Sequence, residues 1–410
     1  MSFWLNELNI LFLSELFYPH GSGAELATYN YADMLSKAGC RIIVVTNKFG
    51  EESQFSKVNS FNIVRIPLFN RSEGTKFSVL TRVDVLVSNF LTRLVKWSDI
   101  VYLPRFWFSA IVLAKSFNKP VITHLHDYIP ICPISTSCCS PNMEACKVTF
   151  CKPRCIYAFE KRRGRNLREA ALSTALNLSI GQLVPRLIRF SDAIICVSKN
   201  QRNNLMSREG SLRDKMHVIY NPVSDFIDLE IAGKDFGYFG GLDPLKGFQV
   251  LLAALKRRSI YHLENVKINA TKLEKIDPSV FKSLEKLGFM PYGKVTLEEF
   301  RRIYKAIRTV LVPSLWNEPW PYVVVEALLQ RRLLVASAIG GIPEQVEGCE
   351  GAILSRPGDS KQLAETIEFV NGLGNEQTVD LGWQNREAFL KRFNNESSIR
   401  KFINICEHLT

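Results

Sequence analysis

The fold is decided by one stretch of sequence, Glu318-Pro-Trp-Pro-Tyr-Val-Val-Val-Glu326-Ala. The run before it, Thr309-Val-Leu-Val-Pro-Ser314, is apolar, has the length of a strand and ends in Pro-Ser. Pro321 suits the first position of a following helix, because the N–H group it lacks has no partner there. Glu318 is therefore expected in a loop and Glu326 inside a helix, with both carboxylates facing one cleft.

A second strand follows at Arg332-Leu-Leu-Val-Ala-Ser337 and runs into Gly340-Gly-Ile-Pro-Glu344, where another helix begins. Strand, loop and helix start thus recur at short spacing, which is typical of a parallel α/β sheet. Helix starts offer N–H groups to an anion, and carboxylates accept hydrogen bonds from hydroxyl groups. The pattern therefore favours a ligand that carries a phosphate and a sugar.

The spacing of the two carboxylates, followed by Ala-Leu and a Gly-Gly-x-Pro-Glu loop, resembles the donor-binding half of retaining glycosyltransferases of family 4. Ser191–Ser198 and Val218–Val223 are similar to the strand and hinge segments of that family, in the same order. The resemblance extends from Gly21 to about Leu409. It implies an α/β protein of the GT-B fold, in which two Rossmann-like lobes place their parallel sheets against a central cleft.

The length of 410 residues fits two domains of about 200 residues each. We expect a first, acceptor-side lobe at residues 1–200, with a cysteine-rich insertion at 132–155. A second lobe at 215–385 is expected to bind the nucleotide-sugar donor. A helix at about 390–410 is expected to cross back to the first lobe, as the resemblance implies.

Apolar runs of strand length indicate where the two sheets lie. A strand is expected at Asn9–Phe17, followed by a glycine loop at Gly21–Gly23 and a helix at Ala24–Ala38, an order typical of nucleotide-binding folds. Further strands are expected at 41–46, 100–103, 120–124 and 193–198 in the first lobe, and at 266–270, 309–312 and 333–336 in the second.

The net charge of +12 predicts anionic partners. A run of basic residues is followed by apolar residues at helical spacing, which indicates either a membrane-binding surface or a solvated loop before a core-packed helix. Aromatic residues do not alternate with the basic ones, so nucleic acid is not expected. We expect a cytoplasmic protein, peripheral on the membrane, because the chain lacks an apolar run of roughly 18 residues and the start of a signal peptide. The basic residues are Lys152, Arg154, Lys161, Arg162, Arg163, Arg165 and Arg168, and the apolar ones are Leu172, Leu176, Leu178, Ile180, Leu183, Leu187 and Ile188.

The resemblance implies transfer of a sugar from a UDP- or GDP-sugar to an acceptor hydroxyl, with retention and without a catalytic metal. In the family an Arg and a Lys neutralise the leaving diphosphate. Lys246 stands at the position of that Lys, whereas Gly241 stands where the Arg is usual. Gly21 and Gly23 would let the backbone approach a phosphate, because neither has a Cβ.

The carboxylate stretch supplies the remaining donor contacts by resemblance. Glu318 would contact hydroxyls of the donor sugar, and Glu326 would contact the ribose. Pro321 replaces a common family Gly and has no N–H to offer, but Tyr322 and Val323 still offer theirs.

A pair of histidines follows the strand expected at 120–124, in His124-Leu-His126-Asp127. His126 and Asp127 match the family position at which a His meets the donor sugar near the reacting centre. We therefore take His126 as a catalytic residue, together with Glu318 and Lys246, and His124 as a residue at the end of the strand. No residue is assigned as a covalent nucleophile.

Cysteine is concentrated in a short segment. Three interpretations stay open for it: a structural metal, most simply zinc, held by four thiolates; disulfides; or unlinked thiols. We predict the metal, on the acceptor side of the protein. The segment contains Cys132, Cys138, Cys139, Cys146, Cys151 and Cys155, whereas Cys40, Cys196, Cys349 and Cys406 are isolated and expected to be buried.

The leading hypothesis is a glycosyltransferase that acts on a lipid-linked or surface-polysaccharide acceptor. Two alternatives use the same lobes. One is a sugar-nucleotide epimerase or a phosphorylase. The other is a binding protein with weakened catalysis, which the Gly at position 241 would explain.

Overall fold

The computed structural model describes residues 8–69, 82–139, 144–145, 153–223, 229–257, 259–263, 265–273, 278–293 and 295–410. The described chain forms two compact units. Unit 1 contains the described residues of 8–139, 153–223 and 394–410, and unit 2 contains residues 144–145 and the described part of 229–393.

The strands alternate with helices along most of the chain. They are β1 (Asn9–Leu13), β2 (Arg41–Asn47), β3 (Phe55–Val58), β4 (Phe61–Ile66), β5 (Ile100–Leu103), β6 (Val121–Leu125), β7 (Cys138–Cys139), β8 (Glu144–Ala145), β9 (Ala193–Cys196), β10 (Met216–Val218), β11 (Asp235–Tyr238), β12 (Ile268–Ala270), β13 (Phe289–Pro291), β14 (Ile307–Val312), β15 (Leu333–Ser337) and β16 (Ala352–Ser355).

The helices lie between these strands and at the end of the chain. They are α1 (Gly23–Lys37), α2 (Val83–Leu86), α3 (Asn89–Trp97), α4 (Ala110–Ser116), α5 (Pro153–Arg162), α6 (Leu167–Ile188), α7 (Lys199–Met206), α8 (Phe248–Leu255), α9 (Pro278–Glu285), α10 (Leu297–Ala306), α11 (Tyr322–Leu329), α12 (Ile342–Val346), α13 (Ser360–Asn371), α14 (Asn375–Arg392) and α15 (Asn395–Leu409). Short 3₁₀ helices occur at Gly210–Lys215 and Pro244–Lys246.

Unit 1 is built on a sheet of eight strands within the described residues, in the order β10-β9-β6-β5-β1-β2-β4-β3. All neighbours are parallel except β3, which pairs antiparallel with β4 at the edge. Strands β5 and β6 are buried along their whole length. This is expected of a parallel sheet with helices on both faces.

The C-terminal helix belongs to the core of unit 1. The Phe402 ring of α15 lies 5.2 Å from the Tyr102 ring of β5, which in turn lies 4.5 Å from the Phe12 ring of β1. Phe402 and Cys406 are fully buried. The apolar face of α15 therefore closes one side of this sheet.

Unit 2 has a sheet of six parallel strands within its described part, in the order β13-β12-β11-β14-β15-β16. The strand order reverses once in each main sheet. In unit 1 the chain forms β1, adds β2, β3 and β4 on one side of it, and then returns to form β5 on the other side. In unit 2 the reversal lies between β11 and β14. Ligands of such sheets bind outside the carboxyl ends of the strands at this switch point.

The structure confirms the expected α/β class, with two Rossmann-like sheets. It differs from the sequence analysis in one detail of the deciding stretch. Helix α11 begins at Tyr322, and Pro321 is the residue before it, with φ −69° and ψ 119°. The prediction that Pro321 takes the first helical position is therefore wrong by one residue, because its extended ψ places it outside the helix. Glu318 lies in the loop and Glu326 in the helix, as expected.

Candidate active site

The switch point of unit 2 is bridged by an ion pair. Lys246 follows β11 and Glu318 follows β14, and the Lys246 Nζ lies 2.7 Å from Glu318 Oε1. Ser314 Oγ donates to the same oxygen at 2.8 Å. The Glu318 side chain is almost fully buried, whereas about a third of Lys246 (36%) stays exposed. The cation is therefore held in place by a buried carboxylate and keeps an open side toward solvent.

Glycine allows the two loops to meet at this point. Gly247 has φ +80°, and a Cβ there would overlap the carbonyl oxygen of Pro313. Leu315 N also donates to Leu245 O at 2.8 Å, which joins the loop after β11 to the loop after β14. The Lys246-Gly247 turn thus depends on a residue without a side chain.

The Gly-Gly loop after β15 holds the backbone of Glu318. Gly341 N donates to Glu318 O at 2.7 Å. Gly340 has φ +61°, and a Cβ there would overlap the Glu318 backbone. This close approach explains why the sequence has Gly-Gly here, since any side chain at residue 340 would displace Glu318.

Glu326 lies on the second turn of α11 and is partly exposed. Burial raises the pKa of its carboxyl group to about 7, and the positive charge of Lys272 opposes the rise. Burial also raises the pKa of the Tyr304 phenol, and the negative charge of Glu326 raises that pKa further. Glu326 thus changes its protonation state near neutral pH, which is the range in which a site residue can respond to a ligand. Tyr322 is buried and Val323 partly exposed on the first turn of the same helix.

Lys272 is a residue that the sequence analysis missed. It is exposed, follows β12, and its carbonyl oxygen would lie 3.1 Å from a Cβ placed on Gly241. Gly241 itself has φ +61°, a conformation that an Arg adopts only with strain. The position of Lys272 at the carboxyl end of a strand is the signal that could have identified it.

The switch point of unit 1 carries a charged cluster that the motifs did not predict. Glu15 follows β1 and Arg105 follows β5. Arg105 Nε lies 3.3 Å from Glu15 Oε1 and 3.0 Å from Glu25 Oε1. Both carboxylates are almost fully buried, and Phe106 N also donates to Glu15 Oε2 at 3.1 Å. Burial raises the pKa of the Glu15 carboxyl group, and Arg105 opposes this rise.

The glycine loop of unit 1 lies beside this cluster. Ser22 N donates to Glu25 Oε2 at 2.6 Å, and helix α1 begins at Gly23. Gly21 has φ +105°, and a Cβ there would overlap the Glu25 side chain. The fold thus lets Glu25 turn back over the loop, so that a carboxylate of the chain itself occupies one of the N–H groups at this helix start.

His126 follows β6 and stacks on His124, with ring centroids 4.3 Å apart. His124 Nδ1 lies 2.6 Å from the Tyr102 hydroxyl oxygen. Burial, with a smaller contribution from the positive charge of Arg105, lowers the pKa of His126 to about 3. Burial lowers the pKa of His124 far below its usual value. Both imidazoles are therefore neutral at physiological pH. Their Nε2 atoms have no hydrogen-bond partner within the described residues, and both residues line a small cavity with Arg105 and Asp127.

The cysteine segment is only partly described. Cys146 and Cys151 lie outside the described residues, and for Cys138 and Cys139 only the backbone of β7 is described. Within the described part of the chain, no group of three or more His, Cys, Asp or Glu side chains is arranged to hold a metal ion. The zinc site stays a prediction. Cys40, Cys196, Cys349 and Cys406 are buried, as expected.

Solved structures share this architecture. Sucrose-phosphate synthase from Thermosynechococcus elongatus superposes with a TM-score of 0.71, at 15% identity, over 98% of this chain and 99% of that chain. Anabaena HepE, solved in complex with UDP-glucose, gives a TM-score of 0.64, at 18% identity, over 98% of this chain and all of that chain. The two units therefore have the GT-B fold, which many glycosyltransferases share.

Family models identify the chain more closely. The model "Glycosyltransferase Family 4" matches residues 21–225, and "Glycosyl transferases group 1" matches residues 233–370. The chain belongs to glycosyltransferase family 4. An uncharacterised 42.6 kDa protein of the cps region of Klebsiella pneumoniae is 22% identical over 356 residues, which cover 82% of this chain and 87% of that protein.

Proposed function

We propose that this glycosyltransferase transfers a sugar from a nucleotide-diphosphate donor, a UDP- or GDP-sugar, to a glycan hydroxyl with retention of configuration. The observation that carries the proposal is the Lys246–Glu318 ion pair at the switch point of unit 2. It combines a cation that is open to solvent with a carboxylate that accepts from hydroxyl groups. HepE, which shares the fold, was solved with UDP-glucose.

Each residue of the unit 2 site has a role in this proposal. Lys246 binds the diphosphate and stabilises the charge that develops as it leaves, so that catalysis needs no metal ion. Glu318 accepts from hydroxyls of the donor sugar. Glu326 accepts from the ribose, and the N–H groups of Tyr322 and Val323, at the open start of α11, face the phosphates.

In unit 1 we propose that neutral His126 contacts the reacting sugar as a hydrogen-bonding group. A group with a pKa of about 3 is not protonated at physiological pH, so His126 does not act there as a cationic acid. Gly21 and Gly23 admit the donor phosphate to the loop N–H groups. Because Glu25 occupies the Ser22 N–H, this contact requires the Glu25 carboxylate to give way.

A panel of nucleotides and nucleotide sugars tests the donor assignment. Selective stabilisation by one nucleoside diphosphate, measured as a rise in melting temperature, is expected because a ligand that binds the folded state stabilises it. Incubation of the selected sugar nucleotide with glycan acceptors, followed by NMR of the new anomeric centre, tests transfer and retention. Conversion of the sugar nucleotide to an epimer in the absence of acceptor would indicate an epimerase. Release of sugar from the glycan that depends on added phosphate would indicate a phosphorylase. Binding without turnover of any kind would indicate the binding protein.

For the acceptor we propose a lipid-linked or surface-polysaccharide glycan, reached while the protein is bound to an anionic membrane. The Klebsiella relative is described by its cps region. Among the described residues no helix is both long and apolar enough to cross a bilayer. Attachment through a surface is therefore the form of membrane contact that the proposal uses.

Helix α6 offers such a surface. Its inner face is buried through Ala170, Ile180 and Val184. On the outer face Leu172 (64% exposed) and Leu183 (45%) are separated by about three turns, and the exposed Phe190 lies just beyond the end of the helix. Arg168 and Arg186 flank this stripe. Basic and apolar side chains on one exposed face are typical of helices that lie on anionic membranes.

Co-sedimentation with phosphatidylglycerol vesicles tests the surface. We expect binding that weakens as salt rises, and that falls in Leu172→Ser/Leu183→Ser but not in Val112→Ser/Val280→Ser, a matched double variant of exposed valines on two other helices. Val112 and Val280 are also exposed, on α4 and α9. Equal binding by the two double variants would remove α6 from the proposal.

A structural zinc on four of the six clustered cysteines completes the proposal. Elemental analysis of the purified protein, combined with titration of its thiols, distinguishes the three interpretations. One zinc per chain is expected. Absence of metal with thiols oxidised in pairs would show disulfides instead.

A further inference from the structure

A cavity on unit 1 lies away from the residues described above. It has a volume of about 500 Å³ and lies along β10, the last strand at one edge of the sheet. The other walls come from the start of β9, from α7 and from the last turns of α15. His126 and Arg105 follow the carboxyl ends of β6 and β5, whereas this cavity reaches the amino end of β9 at Asp192 and Ala193.

Four side chains of basic character line this cavity: Arg202 from α7, His217 from β10, and Lys401 and His408 from α15. Within the described residues, no ion pair engages Arg202, His217 or Lys401. The buried Nε of Arg202 has no hydrogen-bond partner there. An unsatisfied buried donor on a charged group calls for a ligand or ion that satisfies it.

The acidic residue of the lining is already engaged. Asp192 accepts from Lys115 Nζ and from Val121 N, both at 2.7 Å. It therefore does not neutralise the basic side chains. Their mutual repulsion is visible at His217, whose pKa is lowered by burial, by Arg202 and by His408. An anion placed among these groups would relieve that repulsion.

Apart from the polar Asn404, the rest of the lining is apolar. It consists of Ala193, Met216, Val218, Ile219, Ile405 and Leu409. A single phosphate would fill a small part of about 500 Å³, since cavities of this size hold ligands much larger than one ion. The basic side chains are complementary to an anionic group, and the apolar walls are complementary to a hydrocarbon group on the same ligand.

We propose that this cavity is a second binding site, for a phosphate ester that carries an apolar group. The guanidinium of Arg202 binds the phosphate oxygens as a fork, with Lys401 as a second cation. The ester is either a soluble metabolite or the headgroup of a lipid, and the two sources share this chemistry.

The site can be observed by NMR of the full-length protein labelled at the methionine methyl groups. The chain has six methionines. Met216 lines the cavity, and Met290 on β13 of unit 2 serves as the internal control. Titration with hexyl phosphate should shift the Met216 signal to saturation and leave Met290 in place. A Met216 signal that does not move would overturn the proposal.

Variants connect the shift to the basic residues. Lys401→Gln, at an exposed position that does not threaten folding, and Arg202→Gln should each weaken the affinity for hexyl phosphate about tenfold, the usual order for a charge-assisted contact. The matched control is Arg213→Gln, an exposed Arg of the 3₁₀ segment outside the cavity. Affinities of Lys401→Gln equal to those of Arg213→Gln would contradict the assignment.

The form of the ligand provides a further readout. Vesicles that contain phosphatidic acid are the second arm. Saturation by hexyl phosphate alone indicates a soluble ester, and co-sedimentation that Lys401→Gln weakens indicates a lipid headgroup.

Discussion

The two units place a charged pair at the same topological position but differ in how open it is. In unit 1 the pair is Glu15–Arg105, with Glu25 as a second carboxylate, and all three side chains are largely buried. In unit 2 the pair is Lys246–Glu318, and the cation stays about a third exposed. The first pair satisfies itself inside the protein, whereas the second leaves positive charge for a ligand.

In the function we propose, this difference separates a structural charge cluster in unit 1 from a ligand-binding one in unit 2. Two carboxylates and one guanidinium make the unit 1 cluster acidic and costly to disturb, because each buried charge depends on its partners. The unit 2 pair is held by a buried carboxylate but is not enclosed. The comparison predicts that the same kind of substitution damages stability in unit 1 and activity in unit 2.

The largest effect is expected for Arg105→Met. This change leaves Glu15 and Glu25 buried without their cation, which ordinarily costs about 3–5 kcal/mol of the free energy of unfolding. Urea unfolding of the variant and the wild type measures it. Restoration of stability by the triple variant Arg105→Met/Glu15→Gln/Glu25→Gln would show that the unpaired charges cause the loss. A stability of Arg105→Met equal to wild type would contradict the structural role.

Lys246→Ala should behave in the opposite way. Loss of one cation that stabilises the leaving group typically lowers kcat by about 10²–10³-fold. The melting temperature without ligand should fall less than that of Arg105→Met, because only one buried carboxylate, Glu318, loses its cation and Lys246 itself is partly exposed. Lys361→Ala, an exposed Lys on α13, is the matched control. Wild-type turnover by Lys246→Ala would remove this residue from the site.

A pair of glycines tests how Glu318 is held. Gly340 and Gly348 both have positive φ, but only Gly340 would place a Cβ onto the Glu318 backbone, whereas Gly348 has open space around it. Both alanine variants carry the cost of a left-handed residue, about 1 kcal/mol. Gly340→Ala should lose about 1–3 kcal/mol more, as overpacking does, together with most of the affinity for the donor. Equal losses in both variants would show that Glu318 does not depend on Gly340.

Much of the fold could be predicted from the sequence. The runs expected at 41–46, 100–103 and 193–198 correspond to β2, β5 and β9, because continuous apolar residues of strand length have few alternatives in an α/β chain. The edge strand β3 and its neighbour β4 were missed, since their mixture of polar and apolar residues gives a weak signal.

The charged residues of the two candidate sites likewise differ in how well the sequence predicts them. Lys246 and Glu318 could be found because each lies in a motif, and the structure brings their side chains together. Glu15 and Arg105 could not be paired, because they are 90 residues apart and meet only when β1 and β5 become neighbours. The pKa of about 7 at Glu326 likewise depends on its burial in the folded protein and on Lys272, which is distant in the sequence.

The smallest effect concerns pH and is confined to unit 2. Glu326 has a raised pKa of about 7, so its carboxyl group is protonated below that pH and ionised above it. If the ionised form accepts from the ribose hydroxyls, affinity for uridine should rise as pH increases through 7 and then level off. Uridine is the suitable ligand because it has the ribose but no phosphate that titrates. Between pH 5.5 and 8 the affinity for uridine should change about tenfold.

Glu326→Gln should bind uridine weakly and without this pH dependence, and Glu365→Gln, on the surface of α13, should show the same pH dependence as wild type. His126 of unit 1 adds nothing in this range, because its pKa of about 3 keeps it neutral throughout. Since the two units differ in this way, a pH dependence that persists in Glu326→Gln would show that another group binds the ribose.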